Sequence, residues 1–305
     1  MPERKIPETR ITMSNTLDRV LVLAPAKVNW TLDVLAKRSD GYHDIESVMQ
    51  TVSLPDYVIL SRRDAPGIGL TVAGPMAAGV PTDSSNLAHR AAGLILNAAG
   101  CPSHGIHIDL TKLIPSQSGL GGGSSDAASV LLGINRLLGE PFTTHDLLPI
   151  AKELGADVSF FLYGGTCRVR GIGEVVEPIE SGPRASFVII KPRFGVSTKE
   201  AYRALDESLG RESARSTREW PDGGLSNDFE AVVFEMTPEL KTTRQALFDA
   251  GATKVLLCGS GSCLAAFTPE PMALWETLRR QDAGDVWVVR PWYDDPQGRI
   301  RQRWS

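Results

Sequence analysis

Several things are scarce in this 305-residue chain, and each scarcity removes a class of protein. No apolar run approaches the roughly 20 residues that a membrane-spanning helix needs. The first twenty residues, "MPERKIPETRITMSNTLDRV", carry charge with no apolar core behind it, which argues against a secretory signal. Four cysteines, Cys101, Cys167, Cys258 and Cys263, fall at no zinc-site spacing and are too few for a disulfide scaffold at this length. They read as reduced thiols of a cytoplasmic protein. There is no basic excess: the formal net charge is -4 and the pI about 5.8, poor footing for a nucleic-acid binder. No internal repeat and no low-complexity tract is present.

What remains is an ordinary globular composition, 42% hydrophobic and 22% charged, long enough for one large or two medium domains. The stretch 20–35 reads as two short strands broken at Pro25, followed by strands at 45–54 and 57–63. A helix over 84–100 is capped by Ser84 or Ser85 and stopped by Gly100. A strand covers 105–112, and a helix runs from Ser124 to Gly139. A second helix over 143–155 carries Pro149, which threatens to split it. Strands "TCRVRGI" and "EVVEPI" follow. "SGP" (181–183) is the best boundary. Beyond it the order reads β-α-α-α-β-β-α-β, with Ser197 capping the first helix, helical runs at 226–236 and 238–250, and a polar surface loop at 210–224. The whole is α+β in two domains, 18–183 and 184–291, with flexible tails at 1–17 and 292–305.

The densest signal is "PSQSGLGGGSSDAAS" at 115–129, with four glycines in five residues between a predicted strand and a predicted helix. The first turn of a helix leaves backbone N–H groups unbonded, and the helix dipole adds partial positive charge there. Glycines let that backbone approach an anion closely. The nucleotide P-loop pattern fails, because no lysine follows the glycines. The dinucleotide pattern G-x-G-x-x-G fails too, because its third glycine would fall at Ser124. A flexible strand-to-helix connector is the bland alternative, weakened by the entropic cost of so many glycines, roughly 0.5–1 kcal/mol each relative to Ala.

The run Pro115, Gly119, Leu120, Gly121, Gly122, Gly123, Ser124, Ser125, Asp126, Ala127, Ala128 resembles the nucleotide loop of the GHMP kinase superfamily. "PAKVNWTLDVLAKRSDGYHDIESVMQTVSL" (25–54), "LGADVSFFLYGGTCRVRGIGE" (154–174), "GVSTKEAYRAL" (195–205), "NDFEAVV" (227–233) and "LLCGSGSCLAAF" (256–267) extend the likeness over roughly 18–291. The "DGYH" at 40–43 narrows it to the branch that acts on a cytidine-diphosphate methylerythritol. The resemblance implies a GHMP kinase fold, with an N-terminal domain like the second domain of ribosomal protein S5 and a C-terminal ferredoxin-like domain. It implies phosphorylation, with ATP and Mg²⁺, of that substrate's 2-hydroxyl in the non-mevalonate isoprenoid pathway. A homoserine- or mevalonate-type kinase and a non-catalytic nucleotide-binding protein are the alternatives. A cytoplasmic bacterial monomer or weak homodimer, with no nucleic-acid or membrane partner, completes the expectation.

The same resemblance assigns roles. Asp157 is the base and Lys27 its cationic partner; as bare residues they read as a helix cap and a solvated lysine. The ATP site takes Pro115, Ser116, Gln117, Ser118, Gly119, Leu120, Gly121, Gly122, Gly123, Ser124 and Ser125, with Asn86, Leu87 and Lys112 near the adenine. Capping for Asn86 and solvation for Lys112 compete with that role. Mg²⁺ arrives mainly on ATP, with Ser124 or Ser125 as a protein contact. Asn29, Tyr42, His43 and Tyr202 bind substrate, the two tyrosines stacking on the cytosine. Gly259, Ser260, Gly261 and Ser262 form a turn facing the site. Gln117, Ser118 and Cys258 depart from the residues the family usually places there.

Overall fold

A computed structural model describes residues 17–180, 182, 184–208, 224–293 and 297–301. In chain order the elements are β1 (Arg19–Lys37), β2 (His43–Arg63), β3 (Ile68–Ala73), α1 (Leu87–Ala98), β4 (Gly105–Thr111), α2 (Gly122–Leu137), α3 (Thr144–Leu154), α4 (Val158–Tyr163), β5 (Thr166–Gly171) and β6 (Val175–Pro178). Then come β7 (Phe187–Lys191), α5 (Thr198–Ser208), β8 (Ser226–Asn227), α6 (Phe229–Met236), α7 (Pro238–Asp249), β9 (Lys254–Leu257), β10 (Leu264–Phe267), α8 (Pro271–Arg280), β11 (Asp285–Val289) and β12 (Ile300–Arg301).

The first sheet runs β12-β1-β2-β4-β3, with β5 and β6 extending from β2 and β8 lying parallel to β1. Its long hairpin corrects the expected broken strands. Pro25 does not end β1; it sits opposite Pro55 of β2, and the register shifts just after it. A proline lacks the N–H a ladder needs, so placing both at one irregularity confines the lost bonds to one point. The two halves of β2 then serve different partners, β5 along Ile45–Gln50 and β4 along Tyr57–Arg63. Strand β3, which the sequence reading left out, is a short edge strand whose alternating Ile68, Leu70 and Val72 pack half-buried against the core.

Helices α1 to α4 pack on this sheet. Helix α1 starts later than expected: Asn86, not a serine, accepts the Ala88 N–H at 2.9 Å. Pro149 does not split α3, which begins in a Thr143–Asp146 capping box. Helix α1 buries alanine and leucine against α2, β3 and β4, and α3 buries leucine and alanine against α4, α1 and α2.

The second sheet is antiparallel, β11-β7-β10-β9, with α5 to α8 on one face. This βαββαβ order is the expected ferredoxin-like arrangement. Strands β7, β9 and β10 are largely buried on both faces, and their period-2 alternation sorts the side chains. Val188, Ile190, Val255 and Leu257 face the helices, while Phe187, Ile189, Leu256 and Cys258 face the first sheet. There they meet Ala26, Val28, Trp30 and Val48, with Trp30 edge-on to Phe187 at 5.5 Å. The two sheets are therefore joined by an apolar core of their own, which fixes the cleft above it.

Residues 226–227 form strand β8 rather than the start of a helix, and Asn227 donates to the Leu257 and Gly259 carbonyls at 2.8 and 2.7 Å. The stretch expected as a free C-terminal tail is corrected in part. Ile300 pairs with Val22, and buried Arg299 donates to the Phe161 carbonyl at 2.7 Å. The expected loop at 210–224 lies, up to residue 223, outside the described residues, as do residues 1–16 of the N-terminal tail and Ser181 and Pro183 of the boundary.

Candidate active site

A cleft of about 990 Å³ opens where the hairpin end, the glycine loop, the start of α4, helix α5 and the turn after β9 converge. Its nucleotide end is built by the glycine loop. Gly119 adopts φ +78, and a Cβ there would come within 1.8 Å of the Cys258 carbonyl oxygen. Gly121 adopts φ +72, where a Cβ would press on the Phe161 ring and the Lys27 stem. Both positions need left-handed backbone and close approach, the two reasons for glycine. Gly121 is the N-cap of α2 and offers no side-chain cap, so the first-turn N–H groups stay open to an anion. These features fit a polyphosphate.

The loop's other members divide. Ser116 and Gln117 are exposed, and Gln117 is itself left-handed at φ 50. Pro115, Ser118 and Leu120 are buried; the Ser118 hydroxyl donates to the Pro115 carbonyl at 2.7 Å. Gly122 lies beside the Lys112 ammonium, and exposed Gly123 lies beside Leu87. Ser124 lines the cleft, whereas Ser125 is fully buried. Among the described residues, no group of three or more His, Cys, Asp and Glu side chains is placed to hold a metal ion.

Of the three residues expected near adenine, Leu87 is half-buried beside Gly123, and the side chains of the other two bond within the protein. Asn86 caps α1 and donates to the Pro81 carbonyl at 2.7 Å. Lys112 is buried and donates to Asp126 at 2.6 Å and to Asp56. Asp56 also accepts the N–H groups of Leu113 at 2.5 Å and Ile114 at 2.8 Å. This triad ties the entry of the glycine loop to helix α2, a bracing role the sequence reading missed. Burial pushes the Asp126 carboxyl up, with Lys112 opposing. Burial also opposes the Lys112 ammonium, but the two carboxylates outweigh it and raise its pKa.

At the cleft floor, Lys27 Nζ lies 3.7 Å from Asp157 Oδ2. Lys27 is nearly buried, and Asp157 is about a quarter exposed, with 28% of its side chain accessible. Asp157 occupies the N-cap position of α4 yet makes no capping hydrogen bond. Its carboxylate faces Lys27 instead. Lys27 is held on β1 by its own N–H, which donates to the Leu120 carbonyl at 2.9 Å. Its ammonium donates to Asn29 Oδ1 at 2.8 Å, Asn29 donates to Ser47, and Ser47 to the Thr31 carbonyl. Asn29, expected at the substrate, therefore also orients the lysine. Gly259 packs against both Gly119 and the Lys27 ammonium. Ser260 lines the cleft and bonds Thr198 at 2.8 Å. Gly261 and Ser262 lie behind: Gly261 packs against Leu257 and Val196, and buried Ser262 donates to the Phe194 carbonyl. Cys258 is buried, its thiol pushed up to about 12 by that burial, and so presents no polar contact to the cleft.

The far end is aromatic. Tyr42 lines the cleft with 61% of its surface exposed. His43 is nearly buried, stacked on Tyr202 with ring centres 4.8 Å apart, and 2.6 Å from Asp206. Tyr202 meets Phe229 edge-on at 4.8 Å. One face of Tyr202 is thus covered by His43. Burial, then the charge of Asp157, pushes its phenol up to about 12. Asp206, Lys37, Lys199 and Phe229 line this end unforeseen. The available signal for Asp206 was its place one helical turn after Tyr202.

A two-lobed α+β fold with an open helix N-terminus and a lysine–carboxylate pair defines a small-molecule kinase of the GHMP class. Residues 86–165 match the GHMP kinases N terminal domain and residues 200–281 the GHMP kinases C terminal domain. The 4-diphosphocytidyl-2-C-methyl-D-erythritol kinase of Geobacter metallireducens is 42% identical over 87% of this chain and 95% of its own. That of Protochlamydia amoebophila is 39% identical over 83% and 85%. A crystal structure of a 4-(cytidine 5'-diphospho)-2C-methyl-D-erythritol kinase superposes with TM-score 0.73 at 36% identity, covering 89% of this chain and 99% of its own. The chain belongs to the 4-diphosphocytidyl-2-C-methyl-D-erythritol kinase family. A homoserine kinase from Cytophaga hutchinsonii, 24% identical with TM-score 0.68 over 94% of this chain and 98% of its own, shares the fold.

Proposed function

We infer that the protein transfers the γ-phosphoryl group of ATP to the 2-hydroxyl of 4-diphosphocytidyl-2-C-methyl-D-erythritol, in the non-mevalonate route to isoprenoid precursors. The observation that carries the chemistry is the Lys27–Asp157 pair at 3.7 Å, at the floor of a cleft whose wall is the uncapped start of α2. The relatives support the substrate.

In this reading residues 18–183 supply the nucleotide lobe and 184–291 the lobe that covers the substrate. The open N–H groups from Gly122 onward cradle the phosphates, and the helix dipole favours their charge. Ser124, whose side chain lines the cleft, would contact a Mg²⁺ ion brought by the nucleotide, and that ion would offset phosphate charge. Asp157 takes the hydroxyl proton onto its carboxylate as the oxygen attacks phosphorus. Lys27, 3.7 Å from Asp157, puts positive charge beside the developing negative charge. Asn29 and Ser47 hold the ammonium in register. Tyr42 stacks on the cytosine. The setting is the cytoplasm, the protein a monomer or weak homodimer.

ADP release, coupled to a reporter reaction, tests the reading. Turnover is expected with 4-diphosphocytidyl-2-C-methyl-D-erythritol and not with homoserine or mevalonate; the reverse pattern rejects the substrate while keeping the superfamily.

A further inference from the structure

We propose that Asp206 is a positioning residue that sets base selectivity, by fixing which ring nitrogen of His43 carries the proton. The proposal rests on the cytidine-diphosphate reading above and adds a residue and a mechanism to it.

Asp206 bridges two groups of the hairpin. Its Oδ2 accepts the Lys37 ammonium at 2.5 Å, and its Oδ1 lies 2.6 Å from His43 Nε2. The Lys37 hydrogen bond, then that of His43, holds the Asp206 carboxyl below the usual carboxylate range, so it is ionised and can only accept. His43 Nε2 must therefore donate. The imidazole plane is fixed as well: it stacks on Tyr202 at 21°, and Phe229 braces Tyr202 from its edge. In neutral His43 the remaining nitrogen, Nδ1, carries a lone pair. The imidazole lines the cleft beside Tyr42, and no hydrogen bond from the described residues reaches Nδ1.

An acceptor fixed at that place pairs with a ligand amino group and opposes a ligand carbonyl. Cytosine and uracil differ in that respect: cytosine carries an exocyclic amino group where uracil carries an oxygen. Asp206, although 163 residues away in sequence, thus decides the hydrogen-bonding sense of a group that touches the base.

The test compares cytidine and uridine forms of the substrate at about pH 8. Wild type is expected to favour the cytidine form in kcat/KM by roughly 10- to 100-fold. In Asp206→Asn, Lys37 claims the introduced carbonyl, because an ammonium only donates, and the amide NH₂ turns to Nε2. The proton then moves to Nδ1, and the ratio falls to within about 5-fold of unity, the uridine form gaining in absolute rate. Nitrogen-15 spectra of labelled His43 give a readout independent of turnover: the proton is expected on Nε2 in wild type and on Nδ1 in the variant. A wild-type proton on Nδ1, or an Asp206→Asn variant that slows both substrates equally, overturns the proposal. If wild type turns over neither form, the functional reading fails. Asp206 is then judged by the spectra and by CDP against UDP affinity, where equal affinities in wild type overturn it.

Discussion

In the proposed function, the two ends of the cleft meet their ligands by different means. At the phosphate end the contacts are backbone N–H groups from one continuous stretch, shaped by left-handed glycines and braced from behind by the buried Asp56–Lys112–Asp126 triad. At the base end the contacts are side chains from β1, β2 and α5, brought together across the lobes and partly exposed. A phosphate is the same in every nucleotide, so a rigid backbone cradle serves it. A base must be told from other bases, and that takes side chains whose donors and acceptors can be set individually.

The comparison can be broken first at the floor between the two ends. Asp157→Asn keeps the shape but removes the proton acceptor, and kcat is expected to fall roughly 10²- to 10⁴-fold with little change in either KM. A rise in KM with kcat unchanged would make Asp157 a binding group instead. Behind the phosphate end, Lys112→Met leaves two buried carboxylates uncompensated. It should cost about 3–5 kcal/mol in urea unfolding, partly restored by adding Asp126→Asn. Gly119→Ala forces a Cβ onto the Cys258 carbonyl at a left-handed position. A loss of at least about 2 kcal/mol is expected, with a raised KM for ATP and not for the second substrate. At the base end, Tyr42→Ala removes one stacking face, worth about 1–3 kcal/mol, and should raise KM for the cytidine substrate while KM for ATP stays put.

The smallest effect is a pH slope. Burial raises the Asp126 pKa above its unfolded value, so the folded protein holds a proton that the unfolded chain has released. That stabilising contribution is complete below the ordinary carboxylate pKa of about 4 and is lost as pH rises through the raised value. Asp126→Asn should flatten this decline in an unfolding series run upward from about pH 4.

The phosphate end was legible because its function is local. Close backbone approach and positive φ demand glycine, so the demand is written as a run of glycines before a helix. Which serine faces the cleft was not legible: Ser124 and Ser125 are neighbours, and only the packing of α2 on α1 and β1 turns Ser125 inward. The partners of Lys112 were hidden for a related reason. A lysine before a loop looks solvated or ligand-bound until two distant aspartates, one on β2 and one on α2, are seen to enclose it. Pro25 suggested a broken strand because its compensation, Pro55 on the facing strand, lies thirty residues further on.

The sequence by itself determined the α+β class and an anion cradle before a helix, because periodicity and glycine placement act over a few residues; the kind of chemistry was read from the family resemblance. Tertiary structure alone decided that Asp157 faces Lys27 rather than capping α4, and that His43 is oriented by Asp206. Those pairings cross 130 and 163 residues of chain. A charge or hydrogen-bond partner that arrives from such a distance leaves no local mark, since any exposed acidic residue on a helix looks the same until the lobes are joined.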